Sequence, residues 1–459
     1  MAATETSLTL GEVAEATGGR LLGDPATPIC GIAVHSDDVA PGALFVALRG
    51  RRADGHDFVP LARARGAAAA LTGRTLDVPI PQVVVPDTAQ ALLPLAAAWR
   101  ARFPVQAVGV TGSVGKTTTT QMIAVVLAQV GPVRVSAPEW NAELGVPLTL
   151  FGLSSSHRFL VVEMAMRGRG QIAALCAVTR PQIGVVTNVG TSHLELLGSV
   201  EEIARAKAEL VEALPEHGWA ILNADDPRVR VMAHRTRARG LLYGFDPAAH
   251  VRAVELRIGP EGTTFLLSTP SGCGEVHLSV PGRHLVANAL AAAAAGLVCG
   301  VPLEAVCAAL VAFRPVRMRM EIRLLAGGVV LVNDAYNASP ESVRAAFETV
   351  RALRGGRRFV AVLGEMRELG SLHEQAHREV GRLCAEEGVD VLVTVGPAGT
   401  LIASAAREAG MSPSAILQAQ DAEEAARTAQ SVVRSGDVVL VKASRAVGLE
   451  HVAAALGGT

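Results

Sequence analysis

The sequence predicts an α/β protein of three domains, and three observations lead to that prediction. The chain has 459 residues, too many for one hydrophobic core, and this length suggests about three domains. Short apolar runs alternate with segments of helical periodicity, as in βαβ units with a mostly parallel sheet. A glycine-rich turn joins one apolar run to a helical segment at residues 112–115, a connection that often binds phosphate.

Composition narrows the class of protein. Half of the residues are hydrophobic and 3% are aromatic, so the cores should consist of small aliphatic side chains. The formal net charge of −1 gives no field that would gather nucleic acid or an anionic membrane. No C-x-x-C spacing occurs among the six cysteines, which we interpret as buried thiols of a reducing compartment: Cys30, Cys176, Cys273, Cys299, Cys307 and Cys384.

Targeting and membrane signals are also weak. Residues 1–19 contain no basic region leading into an apolar run, so we expect no secretory signal. The most apolar stretch, residues 285–298, is 14 residues long, whereas a membrane span needs about 20. We therefore predict a buried helix there and a cytoplasmic, monomeric protein.

The first predicted domain, residues 1–85, is a small α/β unit without a phosphate loop. Its strand-like runs are residues 31–34, 44–48, 68–71 and 82–85. The second domain, residues 86–315, has buried-strand candidates at residues 107–110, 159–162, 183–187 and 219–222. Between residues 244 and 280, glycine and proline turns separate further strand-like segments at 263–267 and 275–280, which indicates an antiparallel extension of the sheet.

The third domain, residues 316–459, is predicted to be a Rossmann-like α/β unit. Its apolar runs are residues 328–332, 359–363, 391–395 and 438–441, and helical repeats such as 373–386 and 422–433 separate them. Proline in the Phe313-Arg-Pro-Val316 segment disfavours a continuing helix, so we expect a hinge there.

The segment 105–120, VQAVGVTGSVGKTTTT, narrows the possible functions of the chain more than any other segment. Backbone N–H groups at a helix N-terminus favour phosphate, Lys116 can reach the outer phosphates of a nucleotide, and the Thr117 hydroxyl can hold Mg²⁺. The match to G-x-x-x-x-G-K-[ST] is imperfect, because Gly109 is one position too early and Gly112 lies inside the loop. The alternative is a glycine turn beside an unrelated lysine.

Polar residues at the ends of neighbouring strands extend this site. Glu163 follows one strand, and His193 follows the next after a short turn; with Thr117 they are predicted to form a hard-cation site. Taken alone, Glu163 could cap a helix and His193 could be structural. Lys207, on an amphipathic helix, would by its spacing be a solvated charge, and Asn288 could bond either an adenine edge or the backbone.

Two clusters follow strands of the third domain. Residues 332–340 bring together Asp334, Tyr336 and Asn337, and residues 440–445 bring together Lys442, Ser444 and Arg445. Surface charge is the alternative for either cluster. Because both follow strand ends beyond the hinge, we predict that this domain closes over the phosphate site.

These segments, taken in order, resemble the Mur ligase family over nearly the whole chain: TGSVGKTTT, EWNAELGVPLTL, VVEMAMRGRGQI, TNVGTSHLELLGS, AKAEL, PGRHLVANALAA, NDAYNASPES, LGEMRELG and VKASR. The last three are most similar to the branch that adds D-Ala-D-Ala to UDP-MurNAc-tripeptide. Residues 42–58, GALFVALRGRRADGHDF, resemble the uridine-nucleotide domain of that branch.

The resemblance implies a role for each matching position. ATP contacts fall on Gly112, Ser113, Gly115, Lys116, Thr117, Thr118, Asn288, Arg319 and Asn337. Two magnesium ions would be held by Thr117, Glu163, His193 and Lys207, the last as a carbamylated lysine. Catalytic roles fall on Lys116, Lys207, His193 and Asp334. Contacts to the two peptide substrates fall on Ser36, Asn141, Tyr336, Lys442, Ser444 and Arg445.

Three departures from the family pattern stand out. The usual H-N-x-x-N has Leu285 after His284, which removes one adenine-side amide. The usual D-S-R reads His35-Ser36-Asp37, which changes the uridine-nucleotide side. The usual VKGSR carries Ala443 in place of glycine.

The resemblance implies ATP-dependent amide formation through an acyl phosphate. The alternatives are a ligase of the same superfamily that uses folate, cyanophycin or a single amino acid, and a nucleotide-dependent switch without ligation. The family members that work with a glutamine amidotransferase typically carry a four-cysteine zinc insertion, which this sequence lacks.

We predict that Lys116→Ala abolishes ATP-dependent ligation without unfolding the chain, because the lysine offsets charge on the transferring phosphoryl group. Phosphate release measured with the substrates present, alongside circular dichroism, tests this. Release at the wild-type rate would contradict the assignment of the loop.

Overall fold

The computed structural model describes residues 7–50 and 53–458, and it confirms the α/β fold class. Separate sheets form in three consecutive parts of the chain. The domain boundaries themselves stay predictions. Arg51 and Arg52, inside the motif at residues 42–58, lie outside the described residues, as do residues 1–6 of the N-terminal segment and Thr459.

The N-terminal part contains a sheet in the order β2-β7-β6-β5-β4 and a small antiparallel pair, β1 and β3. Its elements are β1 (Leu8–Thr9), α1 (Leu10–Thr17), β2 (Arg20–Leu22), β3 (Pro28–Ile29), β4 (Gly31–Ala33), β5 (Ala43–Val46), α2 (Val59–Ala64), β6 (Ala69–Thr72), β7 (Gln82–Val84) and α3 (Leu92–Arg100). The four predicted runs correspond to β4, β5, β6 and β7. Helix α1 starts at a capping box, in which the Thr9 side chain accepts from the Glu12 N–H and the Thr9 N–H donates to the Glu12 carboxylate.

The central part carries a long sheet in the order β16-β15-β14-β13-β12-β11-β8-β10-β9. Its elements are β8 (Gln106–Thr111), α4 (Lys116–Leu127), β9 (Val133–Val135), α5 (Gly145–Phe151), β10 (Phe159–Glu163), α6 (Gln171–Thr179), β11 (Ile183–Val186), α7 (Leu194–Leu197), α8 (Val200–Glu212), β12 (Trp219–Asn223), α9 (Pro227–Arg230), β13 (Arg239–Gly244), β14 (Val251–Gly259), β15 (Gly262–Thr269), β16 (Gly272–Leu278), α10 (Arg283–Val298) and α11 (Leu303–Ala312).

Strand pairing fixes where the site can form. Strands β8, β10 and β11 are parallel neighbours, with Glu163 opposite Val110 and Val186 opposite Thr111. Their carboxyl ends therefore meet at one edge, where α4 also begins. Strands β14, β15 and β16 pair antiparallel, so the predicted antiparallel extension is confirmed.

The C-terminal part forms a sheet in the order β17-β18-β22-β19-β20-β21, parallel except for β17. Its elements are β17 (Glu321–Leu324), β18 (Val330–Asn333), α12 (Pro340–Arg354), β19 (Phe359–Leu363), α13 (His373–Glu386), β20 (Val391–Val395), α14 (Gly396–Glu408), β21 (Ile416–Ala419), α15 (Ala422–Val432), β22 (Val438–Lys442) and α16 (Glu450–Gly457). Parallel pairing of β18 with β22 places the two predicted clusters side by side.

The alanine-rich stretch is the buried helix α10, as predicted, and it packs against α4 under the central sheet. Across the part of the chain that the structure describes, every helix is too short or too polar to cross a bilayer. The small side chains of α10 allow it to approach α4 closely at Gly296, where an added Cβ would lie 2.3 Å from Val126 Cγ1.

We predict that Gly296→Ala destabilises the protein, although alanine is the better helix former. The gain in helix propensity is about 1 kcal/mol, whereas forcing a methyl group into this packed contact costs about 1–3 kcal/mol. Urea unfolding midpoints test this. In a Val126→Ala background, which removes the clashing methyl group, the same substitution should be neutral or stabilising; an equal loss in both backgrounds would contradict the packing argument.

Candidate functional site

The loop between β8 and α4 requires glycine at two positions. Gly112 has φ 151° and an added Cβ there would lie 1.8 Å from Thr187 Oγ1. Gly115 has φ 85°, and its Cβ would lie 2.5 Å from Asn288 Oδ1. The backbone therefore makes a tight turn just before α4. Free N–H groups at the N-terminus of this helix favour binding of an anion.

Gly109 has a different function in the structure, which explains the imperfect motif. It lies within β8, and an added Cβ would come 2.8 Å from Leu210 Cδ1 of α8. Gly109 therefore allows a helix to pack on the strand and is no part of the phosphate loop.

Lys116 folds back on the phosphate loop. Its Nζ donates to the carbonyl of Gly112 at 2.9 Å and to that of Ser113 at 3.3 Å. Burial lowers the pKa of Lys116, and the charge of Arg319 lowers it further, while Glu163 opposes both. The ammonium group is thus held where the outer phosphates of a nucleotide would sit.

Glu163 is the last residue of β10 and caps no helix, so the capping interpretation is wrong. Its carboxylate, 2% exposed, accepts from Thr117 Oγ1 at 2.6 Å and from Asn141 Nδ2 at 2.8 Å. Within residues 7–50 and 53–458 it forms no ion pair. A buried carboxylate beside a hydroxyl, without a cationic partner, fits Mg²⁺, which needs only one or two carboxylates.

Lys207 is buried, with 2% of its surface exposed, so its interpretation as a solvated charge is wrong. Ile203, Ala206 and Leu210 form the buried face of α8, and Lys207 lies beside them. Burial lowers the pKa of Lys207 well below its usual range, and the nearby Lys116 charge lowers it further. Burial therefore favours the neutral amine, which is the nucleophilic form.

Lysine is rare in this chain. Lys116, Lys207 and Lys442 are the lysines of the sequence, and arginine supplies the rest of the 42 basic residues. Lys207 and Lys442 are each 2% exposed, and Lys116 is partly exposed. Every lysine of the sequence thus lies in or directly behind the candidate site.

His193 lies at the rim of the site. It has φ 69°, directly before α7, and its Nδ1 contacts the carboxylate of Glu368 in the C-terminal part. A hydrogen bond with His193 lowers the pKa of Glu368, and Arg167 at 3.9 Å adds to this effect. The imidazole faces the C-terminal part and is not packed in a core.

The start of α10 forms another wall of the site. Asn288 Oδ1 accepts from Thr119 Oγ1 at 3.2 Å, which turns this side chain toward α4, and its contact with adenine stays a prediction. His284 has an unpartnered, buried Nδ1. Burial lowers the pKa of His284 to about 4, the charge of Lys442 adds to this, and Asp334 opposes it.

The two C-terminal clusters meet in one buried ion pair. Lys442 Nζ pairs with the Asp334 carboxylate and donates to the Asn337 carbonyl at 2.8 Å. Asp334 also accepts from the Met320 N–H at 3.0 Å. The surface-charge alternative is therefore wrong for Lys442.

The other side chains near this ion pair differ in their contacts and in their exposure. The Arg319 guanidinium lies 3.7 Å from the centre of the Tyr336 ring, a cation–π arrangement. Ser444 Oγ is buried and accepts from the Arg367 N–H at 3.0 Å. Arg445 is exposed and pairs with Glu450 at 2.7 Å, so the surface-charge alternative stays open for Arg445.

One cleft of about 930 Å³ lies between the central and C-terminal parts. The predicted site residues that line it are Ser113, Gly115, Lys116, Thr117, Thr118, Asn141, Glu163, His193, Asn288, Arg319, Asp334, Tyr336, Asn337, Lys442, Ser444 and Arg445. Gly112 and Lys207 lie behind its wall. Ser36 is not brought to the cleft: it lies in a turn of the N-terminal part, where its neighbour Asp37 pairs with Arg65 at 2.5 Å.

Sequence reasoning missed several residues that shape this cleft. His284 and Glu368 both occur in recognised motifs, but their burial and contacts depend on other segments. Glu341, which bonds across the two parts, has no sequence signal beyond an acidic residue in the first turn of a helix.

The fold and the cleft define a class. Models of the Mur ligase family match three consecutive stretches: the Mur ligase family catalytic domain at residues 28–108, the Mur ligase middle domain at 110–296, and the Mur ligase, glutamate ligase domain at 318–445. The chain therefore belongs to the Mur ligase family, as its sequence motifs predicted.

Individual relatives agree in their names. The chain is 39% identical to UDP-N-acetylmuramoyl-tripeptide--D-alanyl-D-alanine ligase of Mycobacterium tuberculosis, over 98% of this chain and 97% of the relative. Its structure is similar to that of MurF from Acinetobacter baumannii, with a TM-score of 0.87 and 31% identity over 99% of both chains. MurF from Thermotoga maritima in complex with ADP gives a TM-score of 0.81 at 30% identity, over 93% of this chain and 96% of that one.

Proposed function

We propose that this chain is an ATP-dependent ligase that joins D-Ala-D-Ala to UDP-MurNAc-tripeptide, in the cytoplasm and as a monomer. The observation that carries the proposal is the cleft, in which the phosphate loop faces the buried Asp334–Lys442 pair across the two parts. Residues 1–85 would bind the uridine nucleotide, 86–315 ATP, and 316–459 the dipeptide.

The chemistry follows from the stability of a carboxylate, which resists attack by an amine. A carboxylate oxygen of the tripeptide attacks the γ-phosphorus of ATP, the bond to ADP breaks, and an acyl phosphate forms. The free amine of D-Ala-D-Ala then attacks the acyl carbon, phosphate leaves, and the amine gives up a proton. Positioning and electrostatic stabilisation supply most of the acceleration in phosphoryl transfer.

The phosphate loop and its neighbours would serve the first step. Lys116 and the N–H group of Thr118 would hold the phosphates, and Thr117 with Glu163 would hold Mg²⁺. When bound, the ion would neutralise charge that develops on the phosphoryl oxygens. Asn141 already bonds Glu163, and it would orient this carboxylate while it contacts the peptide substrate.

The C-terminal wall would serve the second step. Lys442 is neutralised by Asp334 and also bonds the Asn337 carbonyl, so it would hold the shape of the pocket wall. Arg319, stacked on Tyr336, would lie beside the nucleotide, and Asn337, Ser444 and Arg445 would approach the dipeptide.

We further propose that Lys207 carries a carbamate that holds a second Mg²⁺ together with His193. The burial of the amine, which lowers its pKa, supports this, because only the neutral form attacks CO₂. The Nζ lone pair forms an N–C bond to CO₂ and one proton leaves, so a neutral amine becomes an anion.

The ligase proposal is tested by phosphate release from ATP with UDP-MurNAc-tripeptide, measured with and without D-Ala-D-Ala. We expect steady release only when both are present, and a product mass equal to the sum of the two substrates less water. Release with a single amino acid in place of the dipeptide would indicate another ligase of the superfamily. Release that needs no acceptor would indicate a nucleotide-dependent switch.

The carbamate is tested by ¹³C NMR of the protein in ¹³C-bicarbonate. We expect one carbamate carbonyl signal in the wild type, its loss in Lys207→Met, and its retention in Lys116→Ala, which removes the other lysine of this region. A signal that persists in Lys207→Met, or that disappears in Lys116→Ala, would contradict the assignment. Ligation should be lost in Lys207→Met.

A further inference from the structure

The loop that follows β11, residues 187–193, is bonded firmly to the phosphate loop. The Ser113 N–H donates to the Asn188 carbonyl at 3.0 Å, and the Val114 N–H donates to Asn188 Oδ1 at 2.8 Å. The Gly190 N–H in turn donates to Ser113 Oγ at 2.8 Å. We name this segment the β11 loop; because of these bonds, a shift of the β11 loop would displace the phosphate loop.

The opposite side of the β11 loop is bonded to the C-terminal part. Thr191 donates to Glu341 Oε1 twice, from its N–H at 3.1 Å and from its hydroxyl at 3.0 Å. Glu341 lies in the first turn of α12, seven residues after Asp334. The contact is close, because a Cβ added at Gly190 would lie 3.0 Å from the same carboxylate oxygen.

Three consecutive N–H groups of the β11 loop thus donate hydrogen bonds to three different segments of the chain. That of Val189 donates to Asp226 Oδ2 at 2.7 Å, that of Gly190 to the phosphate loop, and that of Thr191 to Glu341. Asp226 and Ser113 belong to the central part, whereas Glu341 belongs to the part that carries Asp334 and Lys442. Within residues 7–50 and 53–458, Glu341 forms no ion pair that would hold its carboxylate elsewhere.

We propose that Glu341 is a positioning residue, which holds the C-terminal domain closed over the phosphate loop through its two bonds with Thr191. The phosphate loop and α12 are bonded to the same short segment, so this contact, together with the His193–Glu368 contact of that segment, sets how the C-terminal wall of the cleft faces the nucleotide. Its effect on the dipeptide rests on the ligase function proposed above.

Loss of the Glu341 contact should lower the apparent affinity for the dipeptide and leave the rate of the chemical steps unchanged. When only a fraction of the protein is in the closed form, the apparent dissociation constant is the intrinsic one divided by that fraction. Glu341 is exposed, so the bonds should contribute modestly, and their loss should lower the closed population by about three- to tenfold. Saturating dipeptide would restore closure and leave kcat nearly unchanged.

The kinetic test compares four single variants and one double variant. Glu341→Ala should raise KM for D-Ala-D-Ala by about three- to tenfold with kcat within about twofold, whereas Glu341→Gln should stay near wild type because its amide oxygen still accepts both bonds. Thr191→Val should raise KM in the wild type and add nothing in the Glu341→Ala background. Glu379→Ala is the matched control, since Glu379 pairs with Arg344 inside the C-terminal part at 3.2 Å.

The structural test is small-angle X-ray scattering of the ADP-bound protein, which needs no peptide substrate. We expect a larger radius of gyration for Glu341→Ala than for the wild type or Glu379→Ala. Identical scattering and KM for Glu341→Ala and Glu379→Ala would overturn the proposal. A larger radius of gyration for Glu341→Ala, found in a protein that shows no ligation, would instead support the closing role of Glu341 and refute the ligase function.

Discussion

The site depends on the 2.6 Å hydrogen bond between Thr117 Oγ1 and Glu163. This bond joins the first turn of α4 to the end of β10, and it is possible only because β8 and β10 are adjacent and in register. Removing the hydroxyl would leave a carboxylate that is 2% exposed with Asn141 alone as its side-chain partner. The phosphate loop, the proposed cation site and the proposed peptide contact Asn141 are therefore parts of one polar cluster that lines the cleft.

The C-terminal wall depends on a second polar cluster of the same kind. A buried ion pair costs desolvation energy, which its Coulombic attraction offsets only with good geometry and further hydrogen bonds. Asp334 and Lys442 have both, since each also bonds a backbone group. Breaking this pair from either side would leave an uncompensated charge in the cleft wall, so neither residue is free to act as a simple surface ligand.

Much of this architecture could be predicted from sequence, because parallel strands deliver their last residues to one edge of a sheet. Strands β8, β10, β11 and β12 and the polar residues after β10 and β11 were predicted in this way, and glycine and proline turns indicated β15 and β16, whereas β9, β13 and β14 were not predicted. The two- and three-residue strands β1, β2 and β3 were missed, since they are too short to show a period. The burial of Lys207 and Lys442 was missed for another reason: it depends on which elements become neighbours. The Asp334–Lys442 pair forms because Asn333 lies opposite Val441, a register that the motifs do not specify, and nothing in the sequence marks Glu341 as a contact between domains.

The distribution of lysine has a consequence for the reactivity of the whole molecule. Arginine stays charged in proteins, whereas a buried lysine can lose its proton and become a nucleophile. In this chain arginine carries the exposed positive charge, and two of the three lysine side chains are closed off from solvent. An aldehyde or activated ester that seeks lysine side chains would therefore meet Lys116 alone, through the cleft, and a bound nucleotide would shield it. Among the lysines of this protein, a reagent that is normally indiscriminate therefore becomes selective for the phosphate loop.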